Sequence, residues 1–184
     1  RLWSLTECEE IGCMRFDTVN PVLSAFDPQG LVFAVASENR YIRLYDTASF
    51  DKGPFATFEI VDPYRQGISW SQLKFSPNGK DIMVSTLNGL IYVIDSFDGF
   101  VRATILGNQN SQRHDFQADW SCDSKYIMSG SDDSKLYIWK VESPNSFLTL
   151  EGHSSYPLAA AFNPRYGMIA SACSNVGIWL PDQK

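Results

Sequence analysis

The chain has 184 residues, of which 44% are hydrophobic and 20% charged, and its formal net charge is −6. This composition is typical of a folded globular domain and excludes a disordered chain. No apolar run reaches the 18 residues that a membrane helix needs, and an acidic chain lacks the basic face on which general nucleic-acid binders depend. We therefore predict neither a membrane nor a direct nucleic-acid partner.

The pattern of residues 1–16 predicts two strands, at 1–5 and about 11–16. They correspond to the last two strands of a four-stranded unit that recurs along the chain. Because the chain starts at Arg1, inside this pattern, we interpret it as the C-terminal part of a longer protein. The missing strands of the first unit are then expected upstream.

Three complete four-stranded units are predicted next, at 17–60, 61–105 and 106–150. Their strands are expected at 22–26, 31–37, 41–46 and 55–60; at 70–75, 82–86, 90–95 and 101–105; and at 116–120, 126–131, 136–140 and 147–150. Short segments of alternating character that are separated by tight polar turns, such as Asp132-Asp133-Ser134, are typical of antiparallel strands.

The last unit, 151–184, has predicted strands at 158–162, 168–173 and 176–180 and lacks a fourth, outer strand. An unpaired strand edge invites association, so we expect this edge to be covered by a strand from another part of the chain. We expect the missing strand to come from upstream of Arg1.

A repeated marker sets the period of these units. It consists of Phe26-Asp27-Pro28, Phe75-Ser76-Pro77, Trp120-Ser121-Cys122 and Phe162-Asn163-Pro164, at intervals of 49, 45 and 42 residues. A period near 40 to 45 residues, four strands per unit and one Gly152-His153 pair are typical of WD-type blades. The prediction is an all-β fold, an incomplete β-propeller arc of about four blades from a seven-bladed ring. A β-sandwich is the alternative, but sandwiches have no fixed long period.

Metal and cofactor chemistry have little support in the sequence. The four cysteines, Cys8, Cys13, Cys122 and Cys173, form no CxxC pair, and only two histidines could join them. We predict buried, reduced thiols rather than a zinc site, and no cofactor. This pattern fits a reducing nuclear or cytosolic compartment.

Four residues could be mistaken for a hydrolytic set, namely Ser129, Asp133, Trp139 and His153. In WD blades such residues form a buried hydrogen-bonded network that fixes blade geometry. Here the first three lie in the third complete unit, where Asn108 is a candidate to replace the histidine, and His153 opens the last unit. No GxSxG elbow is present and Ser129 is predicted mid-strand, so we predict a structural role and no enzymatic activity.

The loops at one end of the strands are the predicted partner-binding face, because exposed Tyr and Arg are favoured at interfaces and Arg pairs with phosphate. The candidates on this face are Arg40, Tyr64, Arg65, Arg113, His114, Ser155 and Tyr156. Asp51 and Lys52, in the loop 49–54 at the opposite end, are a second candidate surface.

Two stretches carry a more specific resemblance. Residues 49–58, SFDKGPFATF, and 171–181, SACSNVGIWLP, resemble the WD repeat-containing protein 82 family, the WD subunit of COMPASS-type histone methyltransferase complexes. The resemblance extends over nearly the whole chain, although Cys122 replaces the usual turn proline and no literal Trp-Asp pair is present.

The resemblance implies a non-catalytic nuclear adaptor. Its implied partners are the N-terminal region of a SET-domain methyltransferase, other COMPASS subunits, the phosphorylated tail of RNA polymerase II, and, in other assemblies, a protein phosphatase scaffold or RNA 3′-end machinery. A ubiquitin-ligase substrate receptor is the binding alternative, although the Trp-Asp-x-Arg motif of such receptors is absent. A propeller hydrolase is the enzymatic alternative, and two histidines are a poor supply for it.

Overall fold

The computed structural model describes residues 1–18, 22–38, 40–61 and 69–181. Five antiparallel sheets make up this part of the chain, and its only helical element is a single 3-10 turn at Phe50–Lys52. The predicted all-β WD-type propeller fold is confirmed, and the sheets form an open arc. None of the described helical structure is long or apolar enough to cross a membrane.

Sheet I contains β1 (Leu2–Ser4) and β2 (Glu9–Gly12). Sheet II contains β3 (Leu23–Phe26), β4 (Val32–Ser37), β5 (Tyr41–Asp46) and β6 (Ala56–Glu59). Sheet III contains β7 (Trp70–Phe75), β8 (Asp81–Thr86), β9 (Ile91–Asp95) and β10 (Val101–Ile105). Sheet IV contains β11 (Asp119–Trp120), β12 (Tyr126–Gly130), β13 (Lys135–Lys140) and β14 (Ser143–Glu151). Sheet V contains β15 (Ala159–Phe162), β16 (Ile169–Ala172) and β17 (Val176–Trp179).

The repeated marker forms the turn between the first and second strands of sheets II to V. Ser76 Oγ accepts the N–H of Asp81 at 3.0 Å, and Ser121 Oγ accepts the N–H of Tyr126 at 2.9 Å. In sheet II the carboxylate of Asp27 accepts the N–H of Val32 at 2.8 Å. Short polar side chains favour turns because they bond to nearby backbone in this way. The spacing of the marker therefore reflects one local hydrogen bond that is repeated along the chain.

The core lies between successive sheets. Ala34 and Ile42 of sheet II pack with Ile82 of sheet III in one cluster, and Ile105 of sheet III packs with Trp139 of sheet IV in another. All of these side chains are fully buried. Each sheet thus buries its apolar side chains mainly against its neighbours in the chain, as blades do.

Some strand bounds differ from those predicted. The first strand of sheet IV is only Asp119–Trp120, and β14 begins at Ser143 rather than at 147. Pro144 lies inside β14, which a central strand would not tolerate. It is accommodated because β14 is an edge strand that pairs only with β13.

The prediction that the cysteine side chains are buried is wrong. Cys8, Cys13 and Cys122 are exposed and Cys173 is half-buried, and all four are free thiols. The physical reason is their position: none lies inside a strand, and Cys173 directly follows β16.

Candidate functional site

Sheet V contains a hydrogen-bonded network of four side chains centred on His153. The Nε1–H of Trp179 donates to Ser171 Oγ at 2.7 Å, and Ser171 Oγ lies 2.6 Å from His153 Nε2. On the other side of the ring, His153 Nδ1 lies 3.2 Å from Cys173 Sγ. His153 joins the end of β14 to β15, Ser171 and Cys173 come from β16 and its turn, and Trp179 ends β17. The network therefore fastens the loop before sheet V to its second and third strands.

The set predicted in sheet IV does not form such a network. Ser129 Oγ donates to the carbonyl of Gly130 at 3.3 Å, and Trp139 Nε1 donates to the carbonyl of Leu106 at 3.0 Å. The carboxylate of Asp133 accepts the hydroxyl of Tyr137 at 2.9 Å. These three residues each bond to different groups and none bonds to another of the set.

Asn108, the candidate to replace the histidine in sheet IV, does not take that role. Asn108 Nδ2 donates to the carbonyl of Gly130 at 3.1 Å, and its Oδ1 is buried without a hydrogen bond from any described residue. An amide can reach the strand backbone but does not bridge the serine and the turn aspartate as an imidazole would.

Cys173 is the member of the sheet V network that the sequence interpretation missed. It stands six residues before Trp179, as Asp133 stands six residues before Trp139. The turn after β16 lacks an aspartate, and the thiol occupies the corresponding place beside the imidazole. Counting back from the tryptophan would have identified it.

Hydrogen-bond donors surround the Cys173 sulfur. The N–H of Asn175 points to Sγ at 3.4 Å, and the Ser174 hydroxyl lies 3.8 Å away. The Asn175 N–H, with the Ser174 hydroxyl and the His153 ring, lowers the pKa of the Cys173 thiol to about 6, and partial burial opposes the shift only in part. Donors stabilise the thiolate more than the thiol.

The predicted partner-binding face has one compact cluster. The rings of His114 and Tyr156 stack with centroids 4.1 Å apart, and Phe116 meets Tyr156 edge-on. Asn110 holds the backbone of His114 with two hydrogen bonds of 2.7 Å. His114 and Tyr156 come from different loops, 106–118 and 152–158, so the structure brings these two candidates together. Arg113 and Ser155 flank them in the chain.

Asp132 links the same face to the turn after β12. Its carboxylate accepts both the N–H and the hydroxyl of Ser111, at 2.6 and 2.8 Å. Its other oxygen lies 3.9 Å from His114 Nε2, and neither atom has a hydrogen-bond partner in the described part of the chain. Asp132 therefore ties the loop 106–118 to the turn after β12.

The remaining candidates are separate from this cluster. Arg40 is paired with Glu59, which also raises the pKa of Arg40, chiefly through their hydrogen bond. Tyr64 and Arg65 lie outside the described residues. Asp51 and Lys52 form the exposed 3-10 turn at the other end of the strands.

No group of three or more His, Cys, Asp or Glu side chains that could hold a metal ion is found within residues 1–18, 22–38, 40–61 and 69–181.

The repeats and the fold define a class of protein, and sequence comparison agrees with it. Residues 114–140 match the family model described as WD domain, G-beta repeat. The described sheets and this match identify a WD-repeat β-propeller chain.

More specific relatives cover nearly the whole chain. WD repeat-containing protein 82 of Drosophila melanogaster is 39% identical over 182 residues, which are 98% of this chain and 56% of that protein. COMPASS component SWD2 of Saccharomyces cerevisiae is 30% identical, over 89% of this chain and 53% of that protein. Set1 complex component swd2 of Schizosaccharomyces pombe is 28% identical, over 97% and 62%.

These matches make the chain a homologue of WD repeat-containing protein 82, and the resemblance predicted from residues 49–58 and 171–181 is confirmed. The chain spans a little over half the length of these relatives.

Proposed function

We propose that the chain is part of a non-catalytic WD-repeat scaffold subunit of a nuclear, COMPASS-type histone lysine methyltransferase complex. The observation that carries the proposal is the homology to proteins named as a COMPASS component and a Set1 complex component. The rigid, stacked sheets support a positioning role, because they hold loops from successive units on a common face. The partners proposed are the N-terminal region of the SET-domain enzyme and other COMPASS subunits.

The surface proposed for a phosphorylated partner contains Arg113, His114, Ser155 and Tyr156. Arg113 is exposed and forms no ion pair within the described residues, whereas Arg40 is committed to Glu59. A free guanidinium can bind phosphate with two parallel hydrogen bonds, and the stacked His114–Tyr156 pair offers an aromatic platform beside it. The proposed ligand is the serine-phosphorylated tail of RNA polymerase II. Association with a protein phosphatase scaffold or with RNA 3′-end machinery is a further proposal for the same protein.

The experiment is a capture assay with the full-length protein. Arg113→Ala and Tyr156→Ala are combined, and a phosphorylated polymerase-tail peptide and the methyltransferase N-terminal region are tested separately. Loss of one or two anchors of about 2 kcal/mol each lowers affinity at least tenfold. Lys140→Ala is the matched control, since Lys140 is exposed at the other end of sheet IV.

The outcomes distinguish a wrong binding surface from a wrong assignment to the methyltransferase complex. Loss of the phosphopeptide alone places that ligand on the Arg113 face. Unchanged capture of both by the folded double variant rejects this face and moves attention to Asp51 and Lys52. Recovery of a cullin assembly from nuclei without methyltransferase subunits contradicts the proposed function and favours a ubiquitin-ligase receptor.

A further inference from the structure

The His153–Cys173 contact differs from a purely structural hydrogen bond because its acceptor is a nucleophile. Sulfur faces His153 Nδ1 at 3.2 Å and the Asn175 N–H at 3.4 Å. The backbone N–H of Cys173 in turn donates to the carbonyl of Asn175 at 2.9 Å, which fixes the turn around the sulfur. The pair therefore has a defined geometry.

The rest of the network orients the imidazole. Trp179 Nε1 can only donate, so it occupies a lone pair of Ser171 Oγ at 2.7 Å and leaves the hydroxyl hydrogen available to His153 Nε2. Nε2 accepts that hydrogen when the ring is neutral and donates to the second lone pair of Ser171 Oγ when the ring is protonated, so in both states the proton on Nδ1 points to Cys173 Sγ. Ser171 and Trp179 are thus positioning residues for an N–H···S contact.

We propose that Cys173 and His153 form a thiolate–imidazolium pair that is a site of covalent modification by hydroperoxides. Cys173 is half-buried and directly follows a strand end, so part of the residue is accessible to solvent. Thiolates beside a cationic imidazole and backbone donors are the reactive form of cysteine. Within the described residues none of the other three cysteines has an imidazole in contact with its sulfur.

The proposed step consumes one hydroperoxide. The Cys173 thiolate attacks the outer peroxide oxygen, an S–O bond forms, and the O–O bond breaks. Sulfur is oxidised by two electrons to a sulfenic acid and the peroxide is reduced. The leaving alkoxide or hydroxide takes the proton from His153 Nδ1, which gives an alcohol or water and a neutral imidazole.

The first test measures alkylation of the full-length protein by iodoacetamide at pH 6.5 and 9.5, with each cysteine followed by peptide mass spectrometry. An ordinary thiol with a pKa of about 8.5 loses about a hundredfold in rate between pH 9.5 and 6.5, because its thiolate disappears. Cys173, with its pKa of about 6, is expected to lose less than about twofold over the same interval. Comparing each cysteine with itself removes differences in exposure, and Cys122 is the internal reference.

A variant then assigns the effect to the imidazole. In His153→Asn the loss of Cys173 rate between pH 9.5 and 6.5 is expected to be larger than in wild type, because the imidazole no longer lowers the thiol pKa while the Asn175 N–H, the largest cause of the low pKa, remains. Circular dichroism checks the fold. A wild-type Cys173 profile as steep as that of Cys122 overturns the proposal, whether or not the variant folds. In a folded His153→Asn variant, a Cys173 profile unchanged from wild type overturns the pair.

The second test adds hydrogen peroxide at pH 6.5 and traps sulfenic acid with dimedone. The expected result is a dimedone adduct at Cys173 that exceeds any adduct at Cys122, and its loss in Cys173→Ser. A thiolate-like alkylation profile without an adduct at Cys173 rejects the modification site while leaving the ion pair in place.

Discussion

Among the glycines that the structure describes, Gly130 leaves the least room for a side chain. A Cβ built at this position lies 1.8 Å from the carbonyl oxygen of Pro157, and 3.0 Å from the ring of Phe116. Its backbone φ is ordinary, so the requirement for glycine comes from the close approach of sheet IV to the loop before sheet V. The neighbouring atom is backbone and cannot rotate away.

We expect Gly130→Ala to destabilise the protein by about 3 kcal/mol or more, since overpacking a well-filled site costs this much when backbone must move. Gly30→Ala is the matched control, because that glycine has a φ of +72° but nothing within 4 Å of its Cβ. The control should cost about 1–2 kcal/mol from backbone strain alone. Urea unfolding of both variants is the measurement, and equal costs would contradict the close-approach argument.

The carboxyl group of Asp133 makes the free energy of unfolding depend on pH. Burial alone would raise the pKa of Asp133, but hydrogen bonds from Ser131, Tyr137 and the Lys135 N–H outweigh it and lower the pKa below its usual value. A carboxyl with a depressed folded-state pKa stabilises the protein above its unfolded pKa of about 3.9 and loses that contribution as the pH falls through the folded value.

Wild type is therefore expected to lose more stability between pH 7 and pH 3 than Asp133→Asn, because the variant has no carboxylate to protonate. Urea midpoints at the two pH values check this. Asp51→Asn, which removes an exposed carboxylate in the 3-10 turn, controls for the change in net charge. An equal pH dependence of wild type and Asp133→Asn would refute the linkage.

Strand β11 has only two residues, yet it joins sheet IV to both neighbouring sheets. Asp119 Oδ1 accepts Lys74 Nζ of sheet III at 2.8 Å, and Asp119 Oδ2 accepts the N–H of Phe162 of sheet V at 2.9 Å. Gln72 adds a bond from sheet III to the N–H of Ala118 at 2.8 Å. One side chain in sheet IV thus contacts both neighbouring sheets.

Asp119→Ala is expected to cost about 2 kcal/mol, since it leaves the Phe162 N–H without its charged acceptor. Asp119→Asn keeps an oxygen for that N–H and loses only the half-exposed Lys74 ion pair, which is worth under about 1 kcal/mol. Urea unfolding compares the two, with Lys74→Met as the control for the ion pair. An asparagine variant as damaged as the alanine variant would contradict the dominant role of the Phe162 bond.

The elements differ in how far the sequence predicted them. Ser76 and Ser121 were recognisable because their turns depend on bonds to residues five positions along the chain. The bridging role of Asp119 was not, because its partners are 45 and 43 residues away and depend on how the sheets pack.

The same distinction applies to the candidate site. The six-residue spacing from Cys173 to Trp179 is local and could have indicated that the thiol takes the place of the turn aspartate. The contact of Cys173 with His153 spans 20 residues and, like the stack of His114 on Tyr156, depends on how separate segments approach each other. Sequence spacing predicts bonds within one turn, and tertiary contacts need the assembled sheets.

The exposed fraction of the strand residues differs from sheet to sheet across the molecule. Every residue of β8 and β9 in sheet III is buried, whereas sheet V exposes Val176 and Ile178 and sheet I exposes Trp3 and Ile11. Sheets II, III and IV each have a neighbour on both faces, and sheet III lies furthest from either end of the arc. Each sheet depends mainly on contacts with the next, so stability is close to a sum of nearest-neighbour terms.

Such a stack opens from its ends, and amide hydrogen exchange should record the order. In a protein of residues 1–184 we expect the amides of β8 and β9 to exchange most slowly, those of sheets II and IV next, and those of sheets I and V fastest, because opening an end breaks one interface and opening the middle breaks two. Asp119→Ala, which loosens the junctions on both sides of sheet IV, should speed exchange in sheet V far more than in sheet II. Uniform protection in all five sheets would instead mean that the arc unfolds as a single cooperative unit.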